Sequence, residues 1–246
     1  MLSKWFTNRA EHIADSPNHI VTVQNIRVLA PMLQCIRFVG DLAPMPYQPG
    51  QVAAFRVGKC VFHNCTPIAL DQDEGWLDVL FNLANNCPNG RWADQLCLGD
   101  TAQLLGFEGP LLLQPRFRYH FAFADASALG LALALQNAAE AAQDEFLCLL
   151  ELDQQQQGWP QLIQLDGDVV PPCAAAAARP AIQALQAWEA PLWHNWQGAH
   201  FYLAGQKTTI KALQKTLRQR GMRNEQITLF PIQPTTKKTY HHVSYY

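Results

Sequence analysis

Three short segments of this sequence carry polar residues that could take part in ligand binding or catalysis. They are His63-Asn64-Cys65-Thr66-Pro67, Pro88-Asn89-Gly90-Arg91-Trp92-Ala93 and Asp125-Ala126-Ser127-Ala128. The second and third segments open predicted helices, whose free N–H groups and positive dipole end suit phosphate groups. Gly90 lets a ligand approach the backbone closely, and Arg91 adds positive charge. Both helix starts are therefore candidate phosphate sites.

The elements that position these segments change in character along the chain. Between residues 20 and 112, β-branched and aromatic runs alternate with turn residues, which predicts a small antiparallel Greek-key β-barrel. The predicted strands are Ile20–Leu29, Leu33–Val39, Gln51–Val57, Trp76–Asn82 and Thr101–Leu105. A short helix is predicted over Pro88–Leu96.

After Gly109-Pro110 the pattern becomes an alternation of apolar strands and helices, which predicts a doubly wound α/β nucleotide-binding domain. The predicted strands are Tyr119–Ala124, Glu145–Leu152, His200–Ala204 and Gln226–Pro231. The predicted helices are Ala128–Ala142, one near Pro180–Trp188, and Thr208–Arg220. We expect a barrel over residues 15–113, an α/β domain over 118–234 and a C-terminal tail over 235–246.

Composition narrows the classes of function. A formal net charge of −2 gives no electrostatic reason to expect a nucleic-acid partner. No stretch approaches the roughly 20 apolar residues that span a bilayer, and the N-terminal residues lack the apolar run of a secretory signal. The seven cysteines form no C-x-x-C pair, which favours reduced cytoplasmic thiols over a disulfide framework or an iron–sulfur cluster. We expect a monomer that holds no metal.

Taken in order, these segments resemble the siderophore-interacting proteins, the FAD-dependent ferric-siderophore reductases of the ferredoxin-reductase superfamily. Those proteins carry R-x-Y-[ST]-P, an acidic strand, G-P-A-S-x-W-A, a G-D…G-P-x-G turn, and later G-D-E-T-A. The corresponding segments here are His63–Pro67, Trp76–Val79, Pro88–Ala93, Gly99-Asp100 with Gly109-Pro110, and Ala124–Ala128. The resemblance covers about residues 20 to 230.

The resemblance implies FAD as cofactor, NAD(P)H as electron donor and a ferric siderophore or other ferric chelate as acceptor. It implies that Thr66 contacts flavin N5 as the catalytic residue. His63 and Cys65 stand where the family has a phosphate-binding arginine and a ring-packing tyrosine. The flavin phosphate side would be held by Pro88, Asn89, Gly90, Arg91 and Trp92, and the nicotinamide nucleotide would lie near Asp125 and Ser127. We further predict that Lys237 and Lys238 of the tail attract an anionic iron chelate.

Several of these residues also have a structural interpretation. Thr66 can close a strand, Trp92 can anchor the short helix in the core, and Asp125 or Ser127 can cap a helix. Because positions 63 and 65 depart from the family motif, one alternative is a non-catalytic relative that has lost flavin and acts as a binding module. A second alternative is a flavoprotein that delivers electrons to a protein partner or to oxygen.

Overall fold

The computed structural model describes residues 19–48, 51–58, 61–83, 88–109, 113–174 and 178–232. Its first part is a seven-stranded antiparallel sheet in the order β4-β3-β7-β1-β2-β6-β5. The strands are β1 (His19–Ala30), β2 (Leu33–Val39), β3 (Val52–Gly58), β4 (Val61–Cys65), β5 (Pro67–Asp71), β6 (Trp76–Asn82) and β7 (Thr101–Glu108). The edge strands β4 and β5 are consecutive in the chain, so the barrel turns a corner at Thr66.

Helix α1 (Pro88–Ala93) packs against one end of the barrel. Its Trp92 ring lies 6.1 Å from the ring of Phe38 and nearly parallel to it. The buried Gln34 side chain donates a hydrogen bond of 3.0 Å to the carbonyl of Ala93. The barrel interior is completed by alternating side chains of the strands, among them Val21, Val23, Ile36, Phe55, Leu77, Val79 and Leu104.

The second part is a five-stranded parallel sheet in the order β10-β9-β8-β11-β12. Its strands are β8 (Tyr119–Asp125), β9 (Glu145–Glu151), β10 (Asp168–Val170), β11 (His200–Gln206) and β12 (Ile227–Ile232). The helices are α2 (Leu129–Ala142), α3 (Trp159–Leu162), α4 (Arg179–Gln186), α5 (Ala190–Trp196) and α6 (Lys207–Gln219). Since β9 and β10 lie on one side of β8 and β11 and β12 on the other, the topological switch point is between β8 and β11.

Helix α2 joins the two parts because it packs on the sheet and on the outer face of the barrel. Its apolar cluster contains Ala122 and Leu150 from the sheet and Leu33 from the barrel. Asn137, in the second half of α2, donates a hydrogen bond of 3.0 Å to the carbonyl of Ile68 on β5. The predicted order of an antiparallel barrel followed by a parallel α/β domain is confirmed.

No helix in the described ranges combines the length and apolar character needed to span a membrane. The predicted tail over 235–246, with Lys237 and Lys238, lies outside the described residues.

Candidate functional site

Thr66 lies where the corner of the barrel meets the start of α2. A Cβ placed on Gly130, in the first turn of α2, would lie 3.7 Å from the carbonyl oxygen of Thr66. Close by, Asn82 at the end of β6 donates a hydrogen bond of 3.0 Å to the carbonyl of Ala126 in the turn between β8 and α2. Thr66 itself is half-buried. The structure therefore brings Thr66 close to the turn that carries Asp125 and Ser127.

Asp125 organises the carboxyl edge of the parallel sheet. Its Oδ1 accepts hydrogen bonds from the backbone N–H of Ser127, at 2.9 Å, and from the Ser127 hydroxyl. Its Oδ2 accepts a hydrogen bond of 2.7 Å from the backbone N–H of Gln206. Gly205 has φ of 131°, and a Cβ at that position would collide with the Asp125 carboxylate. Asp125 thus joins the ends of β8 and β11 at the switch point.

Glu151 adds a second carboxyl group to the same edge, and the sequence analysis missed it. It ends β9 and is the register partner of Asp125 on β8. Burial and, secondarily, the Asp125 charge raise the pKa of Glu151 above its usual range. Its Oε1 is buried and has no hydrogen-bond partner among the described residues. The only sequence signal for it was an acidic residue ending an apolar strand.

Strand β4 turns His63 and Cys65 toward the inside of the barrel. Each of the two residues is 6% exposed. Their register partners on β3 are Phe55 and Ala53, both 0% exposed. The His63 ring lies 6.2 Å from the Trp92 ring, and burial lowers the His63 pKa, so the imidazole is neutral at neutral pH. This orientation points both side chains away from any ligand outside the barrel.

Helix α1 places the other predicted phosphate-side residues at the end of the barrel. Pro88 and Asn89 form its first turn, and the Arg91 side chain is exposed. A Cβ on Gly90 would collide with the carbonyl of Asn82, so close packing of α1 on β6 is sufficient to require glycine there. Trp92 packs among the barrel aromatics, which is the structural interpretation given above.

The junction fits the predicted flavin and nicotinamide nucleotide at two points. Open α/β sheets bind such ligands in the crevice at the carboxyl ends of the strands, at the switch point. There Glu151 Oε1 is a buried polar atom that has no hydrogen-bond partner among the described residues, and a ligand group would supply one. On the barrel side, the half-buried Thr66 lies at the corner beside the start of α2. His63 and Cys65 do not contribute to ligand binding at this junction, because their side chains are buried inside the barrel.

A groove opens farther along the same interface, beside the second half of α2. Its volume is about 750 Å³, and its lining includes Asp78, Asn137 and Glu140. The Arg37 guanidinium binds the Asp78 carboxylate through two hydrogen bonds of 2.7 Å. None of the predicted site residues in the described part of the chain lines this groove.

A polar network lies at the opposite, amino-terminal edge of the sheet and is closed to solvent. His120 lies 3.2 Å from Asp144 through Nε2 and 3.2 Å from the Tyr202 hydroxyl through Nδ1. The Tyr202 oxygen also accepts a hydrogen bond of 3.1 Å from the backbone N–H of Gln114, in the segment that connects the two domains. His120, Tyr202 and His200 are each at most 2% exposed, so the network anchors that segment rather than meeting a substrate.

Solved structures share this arrangement at low sequence identity. The ferredoxin reductase in carbazole 1,9a-dioxygenase matches with a TM-score of 0.70 and 16% identity, over 87% of this chain and 69% of that chain. The siderophore-interacting protein SipS from Aeromonas hydrophila matches with a TM-score of 0.67 and 18% identity, over 88% and 97%. A siderophore utilization protein from T. fusca matches with a TM-score of 0.64 and 16% identity, over 89% and 95%.

Neither a protein-family model nor a curated protein matches the sequence. At 16–18% identity, the structural similarity to these proteins establishes the fold. The chain therefore has the ferredoxin-reductase-like fold, an antiparallel barrel followed by a parallel α/β domain, which ferredoxin reductases and siderophore-interacting proteins share with it.

Proposed function

We propose that this protein is an NAD(P)H-dependent flavin oxidoreductase whose electron acceptor is a ferric siderophore or another ferric chelate. One observation carries the proposal. Thr66 of the barrel and the Asp125–Ser127 turn of the α/β domain lie on either side of one junction, at the switch point of the parallel sheet. That is the place where sheets of this type bind nucleotide ligands.

A bound flavin would supply the redox chemistry, because it can take a hydride from a nicotinamide and release electrons singly. The residues of this chain bind and orient. Thr66, at the barrel corner, would hydrogen-bond the reactive edge of the flavin ring through its hydroxyl group. Asp125 fixes the β8 and β11 ends, which sets the shape of the nucleotide crevice.

Glu151 contributes a carboxyl group that holds its proton more readily than an exposed one. In that form it both donates and accepts hydrogen bonds, which suits a nucleotide amide or hydroxyl group. Beyond the described residues, Lys237 and Lys238 would attract the anionic ferric chelate.

A second candidate function is favoured by a specific observation, the inward orientation of His63 and Cys65. Because no arginine or tyrosine points outward at these positions, β4 lacks two of the flavin contacts that siderophore-interacting proteins have. A protein that has lost flavin would act as a binding module with the same fold.

The flavin content of freshly purified protein separates the two functions. Bound flavin, together with NADH or NADPH oxidation that depends on an added ferric chelate, supports the reductase. Colourless protein that takes up neither FAD nor FMN refutes the reductase and supports the binding module. If flavin-loaded protein reduces only a protein acceptor or oxygen, that acceptor takes the place of the ferric chelate in the proposal.

A further inference from the structure

A cavity of about 420 Å³ lies on the face of the parallel sheet that α4 and α5 cover. Its floor includes Phe121 of β8 and Leu147 of β9, which are register partners, and Asp168, the first residue of β10. These residues lie near the amino ends of their strands, whereas the proposed nucleotide crevice lies at the carboxyl ends. No barrel residue of the described ranges lines the cavity. The cavity is therefore separate from the proposed reductase site.

One wall of the cavity is the side chain of Trp188, which lies between α4 and α5. The Trp188 ring meets the Phe121 ring edge-on, with the centroids 5.5 Å apart, and its centroid lies 6.1 Å from that of Trp196. These neighbouring rings hold the indole in place. Leu192 of α5, which is 39% exposed, extends the apolar lining to the protein surface. An apolar ligand body would therefore meet a wall that is already formed.

The cavity is also acidic, because Asp168 and Glu189 line it and no Lys, Arg or His of the described ranges does. Asp168 is the register partner of Leu149, so its side chain lies on the sheet face that forms the floor. Glu189 precedes α5, but its carboxylate makes no capping hydrogen bond. Within the described part of the chain, neither carboxylate takes part in an ion pair. Arg220 is not part of the lining, since its guanidinium lies over the Trp193 ring, 3.9 Å from the centroid.

We propose that this cavity binds a small organic cation, in which an ammonium group is attached to an apolar or aromatic body. The body would pack against Trp188 and Phe121, and the charges of Asp168 and Glu189 would attract the ammonium group. The face of an indole ring attracts such a group as well. An anionic ligand of the same shape would be repelled by the two carboxylates. The volume of the cavity lies within the range of about 300–1,000 Å³ that is usual for small-molecule sites.

Isothermal titration calorimetry of the full chain with three probes tests the proposal. Phenethylamine is a cation at neutral pH, phenethyl alcohol is a neutral molecule of similar shape, and phenylpropionate is an anion with the same ring. Phenethylamine should bind about tenfold more tightly than phenethyl alcohol, and phenylpropionate should bind least tightly of the three. Absence of phenethylamine binding, or equal affinities for the amine and the alcohol, overturns the proposal.

Substitutions then test whether the amine binds in this cavity. Asp168→Asn combined with Glu189→Gln should lower the amine affinity about tenfold, to that of the alcohol, without lowering the melting temperature. Leu192→Ala should weaken the binding of the amine and the alcohol equally. The matched control combines Asp41→Asn with Glu140→Gln, which removes two exposed carboxylates outside the cavity and should change neither affinity. If the cavity variant keeps the amine affinity of the wild type, or if the control loses as much, the proposal is wrong.

Discussion

The carboxylate of Asp125 accepts a hydrogen bond of 2.7 Å from the backbone N–H of Gln206, and so joins the end of β8 to the residue that precedes α6. The same carboxylate holds the Ser127 N–H and hydroxyl at the turn into α2. One buried side chain therefore sets the spacing of two strand ends and two helix starts. The proposed nucleotide crevice depends on this spacing.

Replacing Asp125 with asparagine should destabilise the α/β domain. Only one amide atom of asparagine accepts hydrogen bonds, so either the Gln206 N–H or the Ser127 groups lose their partner. A hydrogen bond to a charged group contributes about 1.5–3 kcal/mol, and because these bonds are only part-buried we expect a loss at the lower end of that range. Urea unfolding of Asp125→Asn measures the loss, with Asp41→Asn at an exposed position as the control. Equal stability of the two variants would show that the Asp125 contacts contribute nothing.

Replacing Gly205 with alanine should lower the melting temperature more than a glycine-to-alanine substitution elsewhere does. The added Cβ would collide with the Asp125 carboxylate and would be held at a φ of 131°. Backbone strain alone costs about 1–3 kcal/mol, and the collision adds to it. Thermal melting of Gly205→Ala and of two control variants separates backbone strain from the collision.

Two other glycines provide the controls for Gly205→Ala. Gly99 has φ of 87° with open space around a Cβ, so Gly99→Ala measures backbone strain without collision. Gly198 also has open space, and Gly198→Ala should leave stability nearly unchanged. If Gly205→Ala melts at the temperature of Gly99→Ala, the carboxylate has moved aside and the predicted collision does not occur.

Much of the fold follows from the sequence because the buried strands and long helices have clear apolar patterns. Helix α2 and strands β8 and β11 are confirmed within two residues at each end. The missed elements are β4, β5, β10, α3 and α5. The strand β10 is only three residues long, and α5 contains proline and exposed residues, so neither has enough periodicity to be recognised.

The candidate site was harder to predict because it depends on which face of a strand a residue occupies. In β4, polar residues occupy both faces, so the sequence does not show that His63 points inward and Asn64 outward. The importance of Glu151 depends on the register between β9 and β8, which only the pairing of distant strands reveals. Thr66 was singled out only through the family resemblance, whereas the Asp125 turn was singled out because it lies between a predicted buried strand and a predicted helix.

Stability should fall as the pH drops below about 6.5, in part because of His200. Burial, then the charges of His120 and Arg116, lower the His200 pKa from 6.5 to about 4. The unfolded chain therefore binds a proton at a pH where the folded protein does not, and protonation favours unfolding between pH 6.5 and 4. A shift of this size corresponds to about 3 kcal/mol at pH 4.

Urea unfolding at pH 7 and pH 4.5 measures this dependence. His200→Gln removes the titrating group, and its amide can replace the Nε2 contact of 2.8 Å with Thr228. This variant should lose less stability on acidification than the wild type does. His194→Gln is the control, since His194 is exposed. Identical pH dependence in the wild type and His200→Gln would exclude His200 as a source.

Replacing Thr66 with valine should reduce reductase activity while preserving the fold. Valine matches threonine in shape but cannot hydrogen-bond the reactive ring edge, and loss of one such bond corresponds to about a tenfold fall in rate. Steady-state ferric-chelate reduction measures the rate, and flavin absorbance checks that the cofactor is retained. Thr22→Val, on β1 of the same sheet, should keep wild-type activity. If Thr66→Val protein keeps its full flavin content and an unchanged kcat, the Thr66 hydroxyl takes no part in the rate-limiting step. Thr66 is then not a catalytic residue.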